Sequence, residues 1–247
     1  MIKEKNMIFG LHAVIEAVNA GKDIDKIFMR RELGGDLAKE LLEKIRPLQI
    51  PVQRVPLEKL NHLTLRNHQG VVAFLSSIVY QDITSVIPTL YEDGKMPFIV
   101  VLDSITDVRN FGAVARTCEC AGVDAILVPS RGAAAANADA VKTSAGALHI
   151  VPVCRAENLE KAVKYLKDSG LKIVAVTEKT KNPYTAEDYN APLALVLGSE
   201  DEGISPEILK LADTKVSIPI LGKIQSLNVS VAAGILMYKA VELRNKN

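Results

Sequence analysis

Apolar and polar residues follow one another along this chain in blocks that switch between two periods. Ala13, Val14, Ala17 and Val18 recur at helical spacing and Gly21 stops them, which predicts a helix over 12–20. Ile27-Phe28-Met29 reads as a strand. Leu37, Leu41 and Ile45 predict a helix over 36–46 that Pro47 ends. A strand over 52–55, a short helix over 57–62 and an apolar strand over 70–75 follow. The more polar stretch 79–95, closed by Gly94 and Pro97, reads as a linker with one helical turn around 83–90. Phe98-Ile99-Val100-Val101-Leu102 then opens a second segment with the unbroken apolar run of a strand covered on both faces. Behind it the pattern predicts helices over 111–121, 138–148, 159–167, 206–212 (with Ser205 as N-cap) and 229–243. Strands are predicted over 125–128, 151–154, 173–177, 193–197 and 216–218. Pro88, Pro97, Tyr184 and Tyr189 read as parts of connecting loops. Strands alternating with helices imply α/β architecture with a mostly parallel sheet. The expected division is a small α/β domain over 1–78, a linker over 79–95 and a larger α/β domain over 96–247.

Composition changes this picture little. Of 247 residues, 48% are apolar and 24% charged, ordinary values for a globular chain. No apolar run approaches the roughly 18–20 residues that cross a bilayer, and no apolar stretch of a secretory signal follows Met1. A cytoplasmic protein without a membrane partner is the expectation. Net charge is +1, but residues 1–78 hold 12 Lys and Arg against 9 Asp and Glu, a balance of +3. A basic surface facing nucleic acid and an evenly solvated surface are both compatible with that balance. Cys118, Cys120 and Cys154 are an odd number without metal-type spacing, and His12, His62, His68 and His149 form no ligand cluster. Reduced thiols and no metal are expected. For His12 and His68, a structural role in loops is favoured over stacking on RNA.

Chemistry concentrates in three polar turns set between apolar strands and amphipathic helices, where α/β sheets present loops to ligands. The first is Asp107-Val108-Arg109-Asn110-Phe111-Gly112-Ala113-Val114-Ala115-Arg116-Thr117. The second is Leu197-Gly198-Ser199-Glu200-Asp201-Glu202-Gly203. The third joins Ile218-Pro219 to Ser226-Leu227-Asn228-Val229-Ser230. Glycine at 198 lets the chain bend directly after a strand and approach a ligand without a Cβ in the way. Neither the Gly-x-Gly of a dinucleotide fold nor a Walker loop follows the strand ending at Leu102. The ligand turns come late. Arg116 is permanently cationic, a poor base but suited to gripping phosphate and steadying negative charge.

Taken in order, these turns resemble the three signature motifs of the SpoU/TrmH family of RNA ribose 2′-O-methyltransferases. Residues 109–116 fit Arg-Asn-x-Gly-Ala-x-x-Arg, 198–203 fit Gly-x-Glu-x-x-Gly, and 218–219 with 226–230 fit Ile-Pro followed by Ser-Leu-Asn-x-Ser. Lys142-Thr143-Ser144-Ala145-Gly146-Ala147 is similar to another family segment, and Gly10-Leu11-His12 and His68-Gln69-Gly70 resemble the substrate-binding domain of RlmB-type members. The resemblance implies a SPOUT catalytic domain with a deep trefoil knot, S-adenosylmethionine as cofactor without a metal, and a homodimer. It implies a cofactor site of Thr177, Leu197, Gly198, Gly203, Ile218 and Leu227, and a catalytic surface of Asn110, Arg116, Glu200, Ser226 and Asn228. The implied reaction is methyl transfer to a ribose 2′-oxygen, of a guanosine in 23S ribosomal RNA. A transfer-RNA methyltransferase of the same family, or a catalytically silent RNA-binding assembly factor, are the alternatives.

Overall fold

The computed structural model describes residues 7–199, 201–224 and 226–244. The chain forms two compact units. One runs through Val79 and includes Ala135–Asn137; the other holds Tyr80–Ala134 and the residues from Ala138 on.

The first unit is a four-stranded sheet. Its strands are β1 (Met7–Phe9), β2 (Ile24–Arg30), β3 (Val52–Val55) and β4 (Val71–Leu75), in the order β1-β4-β2-β3. β4 is antiparallel to β1 and β2, and β3 runs parallel to β2. Alternation sends Ile27, Met29, Val71 and Ala73 to one face. There they are buried against helices α1 (Leu11–Asn19) and α2 (Asp36–Ile45) through Val14, Leu41 and Ile45. The opposite face carries Phe28, Val72 and Val55 beneath Leu60 of the short helix α3 (Leu57–Leu63). Met7, Phe9 and Phe74 stay only partly covered on that side. β1 has no counterpart in the sequence reading, because three residues are too few to show a period.

The second unit is a seven-stranded, wholly parallel sheet. Its strands are β5 (Tyr80–Gln81), β6 (Phe98–Asp103), β7 (Ala125–Pro129), β8 (Val153–Ala156), β9 (Lys172–Val176), β10 (Leu193–Gly198) and β11 (Thr214–Val216). Their order is β11-β9-β10-β6-β7-β8-β5. Helices α4 (Ile83–Glu92), α7 (Leu159–Asp168) and α8 (Pro206–Leu211) contribute Ile87, Val163, Leu166 and Ile208 to one core with Ile99, Leu127, Ile173 and Val196. Helix α5 (Val108–Cys120) packs against α6 (Ala138–Thr143) and α9 (Val229–Arg244), and α9 also contacts β10. A Cβ on Gly112 would lie 2.7 Å from Thr143 Cβ and 2.8 Å from the Ala140 carbonyl, so this motif glycine permits the α5–α6 approach.

Three expectations need correction. Residues 79–95 are not a free linker. Tyr80 and Gln81 pair in parallel with β8, and Ile83, Ile87 and Leu90 of α4 are buried in the second core. The reason is an amphipathic stretch capped by Asp82, whose carboxylate accepts the Thr84 N–H at 2.9 Å. Pro88 lies inside that helix, not in a loop. The expected helix over 138–148 stops at Thr143, because Ala145 and Gly146 take positive φ of 51° and 89° before a 3-10 turn over Ala147–His149.

Candidate active site

β9, β10 and β11 end at one edge of the second sheet, and their outgoing loops build a cleft of about 340 Å³. Gly198 closes β10 in register with Asp103, the last residue of β6. The chain then folds back on itself: Gly203 N–H donates to the Ser199 carbonyl at 3.0 Å, and Glu202 N–H donates to Ser199 Oγ at 3.1 Å. The return is so tight that a Cβ on Gly198 would fall 2.0 Å from the Gly203 carbonyl carbon. Gly203 itself sits at φ 73°, the left-handed region that favours glycine.

The second wall is the connection from β9 to β10. Thr177 N–H donates to the Val216 carbonyl at 2.9 Å, and Ser217 N–H to the Asn182 carbonyl at 2.9 Å, tying the connection to β11. Tyr189, expected in a loop, is fully buried, and its hydroxyl donates to the Tyr184 carbonyl at 2.9 Å. That anchor holds the loop from which Thr177, Glu178 and Lys179 reach the cleft.

The third wall precedes α9. Asn228 accepts from Ser230 N–H at 2.9 Å and Ser230 Oγ at 2.6 Å through its Oδ1, and its Nδ2 donates to Asn110 Oδ1 at 2.9 Å. Asn110 stands in the first turn of α5, which starts earlier than the apolar pattern suggested. Asp107 caps it by accepting from the N–H groups of Arg109 (2.7 Å) and Asn110 (2.9 Å). The N-termini of two long helices therefore meet at the asparagine pair, with their partial positive charges and N–H groups. Such a place favours charge of negative sign.

All six residues expected at a cofactor, Thr177, Leu197, Gly198, Gly203, Ile218 and Leu227, lie on the wall of this single cleft, as does Ser226. Asn110 and Asn228 are brought together by their hydrogen bond. No hydrogen bond joins Arg116 to them: it is exposed on α5, six residues and so about 9 Å along the axis from Asn110. Its side chain makes no hydrogen bond or ion pair with a described residue, including Glu119 and Asp124. Glu200, also expected in the catalytic set, lies outside the described residues. Among the described residues, the cleft wall carries the carboxylates of Glu178, Asp201 and Glu202 against one ammonium, Lys179. Among the described residues, no group of three or more His, Cys, Asp or Glu could hold a metal ion, and no helix is long and apolar enough to cross a membrane.

Residues 97–238 match the SpoU rRNA Methylase family, and residues 7–81 match the RNA 2′-O ribose methyltransferase substrate binding family. The chain belongs to the SpoU family. Membership makes it an RNA methyltransferase. It is 32% identical, over 99% of its length and 98% of the relative's, to the provisionally named TrmH family tRNA/rRNA methyltransferase YacO of Bacillus subtilis. Its fold is similar to that of an AdoMet-bound rRNA methyltransferase from Sinorhizobium meliloti. The TM-score is 0.62 at 25% identity, over 96% of this chain and 87% of the other. A TrmH/SpoU tRNA modifying enzyme of A. aeolicus matches 66% of this chain and 84% of its own with TM-score 0.56 and 32% identity.

Several residues that line or brace the cleft of this SpoU-family chain escaped the sequence reading. Glu178 and Lys179 could have been found by the rule that ligands gather beyond the carboxyl ends of parallel strands, since they directly follow β9. Asp103 could not. Buried at the end of β6, it accepts the Ser205 N–H at 2.7 Å through Oδ2 and the Ser104 hydroxyl at 3.1 Å through Oδ1. It thereby latches the far end of the 199–205 turn, a contact 102 residues away in sequence. His68 is structural: its Nδ1 accepts the Gly70 N–H at 3.0 Å, which leaves the proton on Nε2 to donate to Asn61 Oδ1 at 2.9 Å.

Proposed function

We propose that this chain transfers a methyl group from S-adenosylmethionine to the ribose 2′-oxygen of a guanosine in 23S ribosomal RNA. The observation that carries the reading is the one cleft in which the late turns converge, next to the asparagine pair. Its volume falls at the small end of ligand sites, and its wall combines apolar Leu197, Ile218 and Leu227 with an excess of carboxylates. That wall suits a cofactor with an apolar-faced purine, hydroxyls and a sulfonium cation. Bound there, the cofactor supplies an electrophilic methyl carbon.

Thr177, Leu197, Gly198, Gly203, Ile218 and Leu227 hold it, largely through mainchain groups exposed by the glycine turn. Asn110, Ser226 and Asn228, at the helix N-termini, orient the ribose and favour the negative charge that appears on its oxygen as the proton leaves. Arg116, lacking a carboxylate partner among the described residues, binds a substrate phosphate and adds to that field. Glu200 completes the set as a proton acceptor. The homodimer belongs to the same reading. It is supported by Val231 and Tyr238 on α9 and by Leu221 and Ile224, apolar side chains left 50%, 51%, 98% and 78% exposed. The trefoil knot is likewise proposed, supported by a β10–β11 connection that passes beyond β9 before the chain returns to pack α9 on β10.

Replacing Arg116 by Ala is expected to lower methylation about 100-fold or more while cofactor binding persists. Methylation near the parental rate would remove the role assigned to Arg116. Mapping 2′-O-methyl marks on total RNA with and without the protein identifies the target. A mark that disappears from transfer RNA instead of 23S RNA would replace the substrate named here.

A further inference from the structure

The face of the first sheet that α3 covers only in part is ringed by cations resting on aromatic rings. Lys26 Nζ lies 5.7 Å from the Phe28 ring centroid and 5.6 Å from that of Phe74. Lys59 Nζ stands 4.9 Å from the Phe28 ring centroid, and the Arg66 guanidinium carbon 5.8 Å from that of Phe9. The register explains the grouping. Met7, Phe74 and Lys26 lie in one row across β1, β4 and β2, and Phe9, Val72 and Phe28 in the next.

Cations in proteins are usually neutralised by carboxylates. Here the rings hold them instead, within the roughly 6 Å over which a ring quadrupole attracts a charge. None of the three side chains makes a hydrogen bond or ion pair with a described residue, so no described carboxylate neutralises them. Arg30, two residues beyond Phe28 on the same face, adds a fourth charge, and its Nε is buried without a hydrogen-bond acceptor. Phe9, Phe74 and Met7 leave apolar surface accessible beside the cations. Fixed cations beside half-covered rings are the two parts of a single-strand nucleic-acid platform, one for phosphates and one for base faces. A duplex offers phosphates but hides its base faces.

We propose that this face docks an unpaired stretch of RNA, with phosphates on Lys26, Lys59 and Arg66 and bases against Phe9 and Phe74. The proposal rests on the reading that the chain acts on RNA. It adds where the first unit touches the substrate and in which conformational state.

The test uses the full chain and a fluorescein-labelled 12-nucleotide RNA of mixed sequence, alone or annealed to its complement, with binding followed by anisotropy across a salt series. The single strand is expected to bind more tightly than the duplex. Combining Lys26→Gln, Lys59→Gln and Arg66→Gln should make the slope of log K against log salt shallower by about 2, since each lost phosphate contact on a single strand accounts for about 0.7. The charge-preserving set Lys26→Arg, Lys59→Arg and Arg66→Lys should retain the parental slope. Phe74→Leu, which keeps the charges, should weaken binding about 5- to 100-fold. An unchanged slope in the Gln set, equal binding of duplex, or displacement of the RNA by polyglutamate of the same length would each overturn the proposal. Cofactor binding by the same proteins reports separately on methyl transfer: its absence from the parent chain would sink that reading and leave the salt slopes interpretable.

Discussion

Gly198→Ala is the sharpest probe of the cleft, because the clash it creates has nowhere to go. The added methyl would lie 2.0 Å from the Gly203 carbonyl carbon and 2.3 Å from both the Gly203 oxygen and the Ile204 nitrogen, all backbone atoms. Carbon–carbon contacts are comfortable only near 3.5–4.0 Å, so the 199–205 turn must lift by about 1.5 Å. Lifting it breaks the Gly203-to-Ser199 bond and the Ser205-to-Asp103 bond. The first contributes about 1 kcal/mol and the second, to a carboxylate, about 1.5–3 kcal/mol. If cofactor binding must restore the turn, a cost of about 3 kcal/mol weakens it roughly 100-fold.

The control is Gly203→Ala. There an added Cβ meets nothing within 4 Å, but the residue keeps φ 73°, so only left-handed strain of about 1–2 kcal/mol arises. Calorimetry with S-adenosylmethionine on the two variants should therefore rank Gly198→Ala far below Gly203→Ala. Equal affinities, or a parental affinity for Gly198→Ala, would refute the steric argument.

Asp103→Ala leaves the Ser205 N–H without its acceptor, and should raise the cofactor Kd about 10-fold or more with little change in affinity for RNA; calorimetry and anisotropy separate the two. Ellman's reagent should titrate only Cys120 in the folded chain, because Cys118 and Cys154 are buried. Burial, then the charge of Asp82, pushes the Cys154 thiol up to about 12, and two or more fast equivalents would contradict this. Asp213 is pushed up by burial, but the Ile173 N–H and Lys167, at 2.9 and 2.7 Å, outweigh that and hold it below the ordinary carboxylate range. A depressed folded pKa means stability present above the unfolded value, about 3.9, and lost as pH falls through the folded one. Asp213→Asn should flatten the acid limb of a melting-temperature profile below pH 4, and an unchanged limb would count against it.

Much of this architecture is written locally. Phe98–Leu102 and Leu193–Leu197 announce buried parallel strands by unbroken apolar runs, and the glycines at 198 and 203 mark the turn that folds between them. What stayed hidden depends on partners distant in sequence. Residues 79–95 look polar because α4 shows one apolar stripe, and only the second core reveals that Ile83, Ile87 and Leu90 belong to it. Tyr189 gives no sign of burial in its loop-like surroundings, yet it is fully buried with its hydroxyl on the Tyr184 carbonyl. Asp103 reads as a polar end to a strand, and its hold on Ser205 exists only once β10 lies beside β6. For the candidate site, the residue types were legible and the Asn110–Asn228 bond was not.

The cleft's walls come from residues between Val176 and Ala232, and α9 must settle on α5, with Cys118 Sγ 3.6 Å from Met237 Sδ, before the asparagines can meet. During synthesis the first unit and most of the sheet emerge well ahead of that helix. A nascent chain would thus be able to engage its nucleic-acid partner before it possesses a catalytic pocket. Modification competence then waits for α9, and a ribosome stalled within the α9 codons would hold a chain able to grip its partner without a finished pocket.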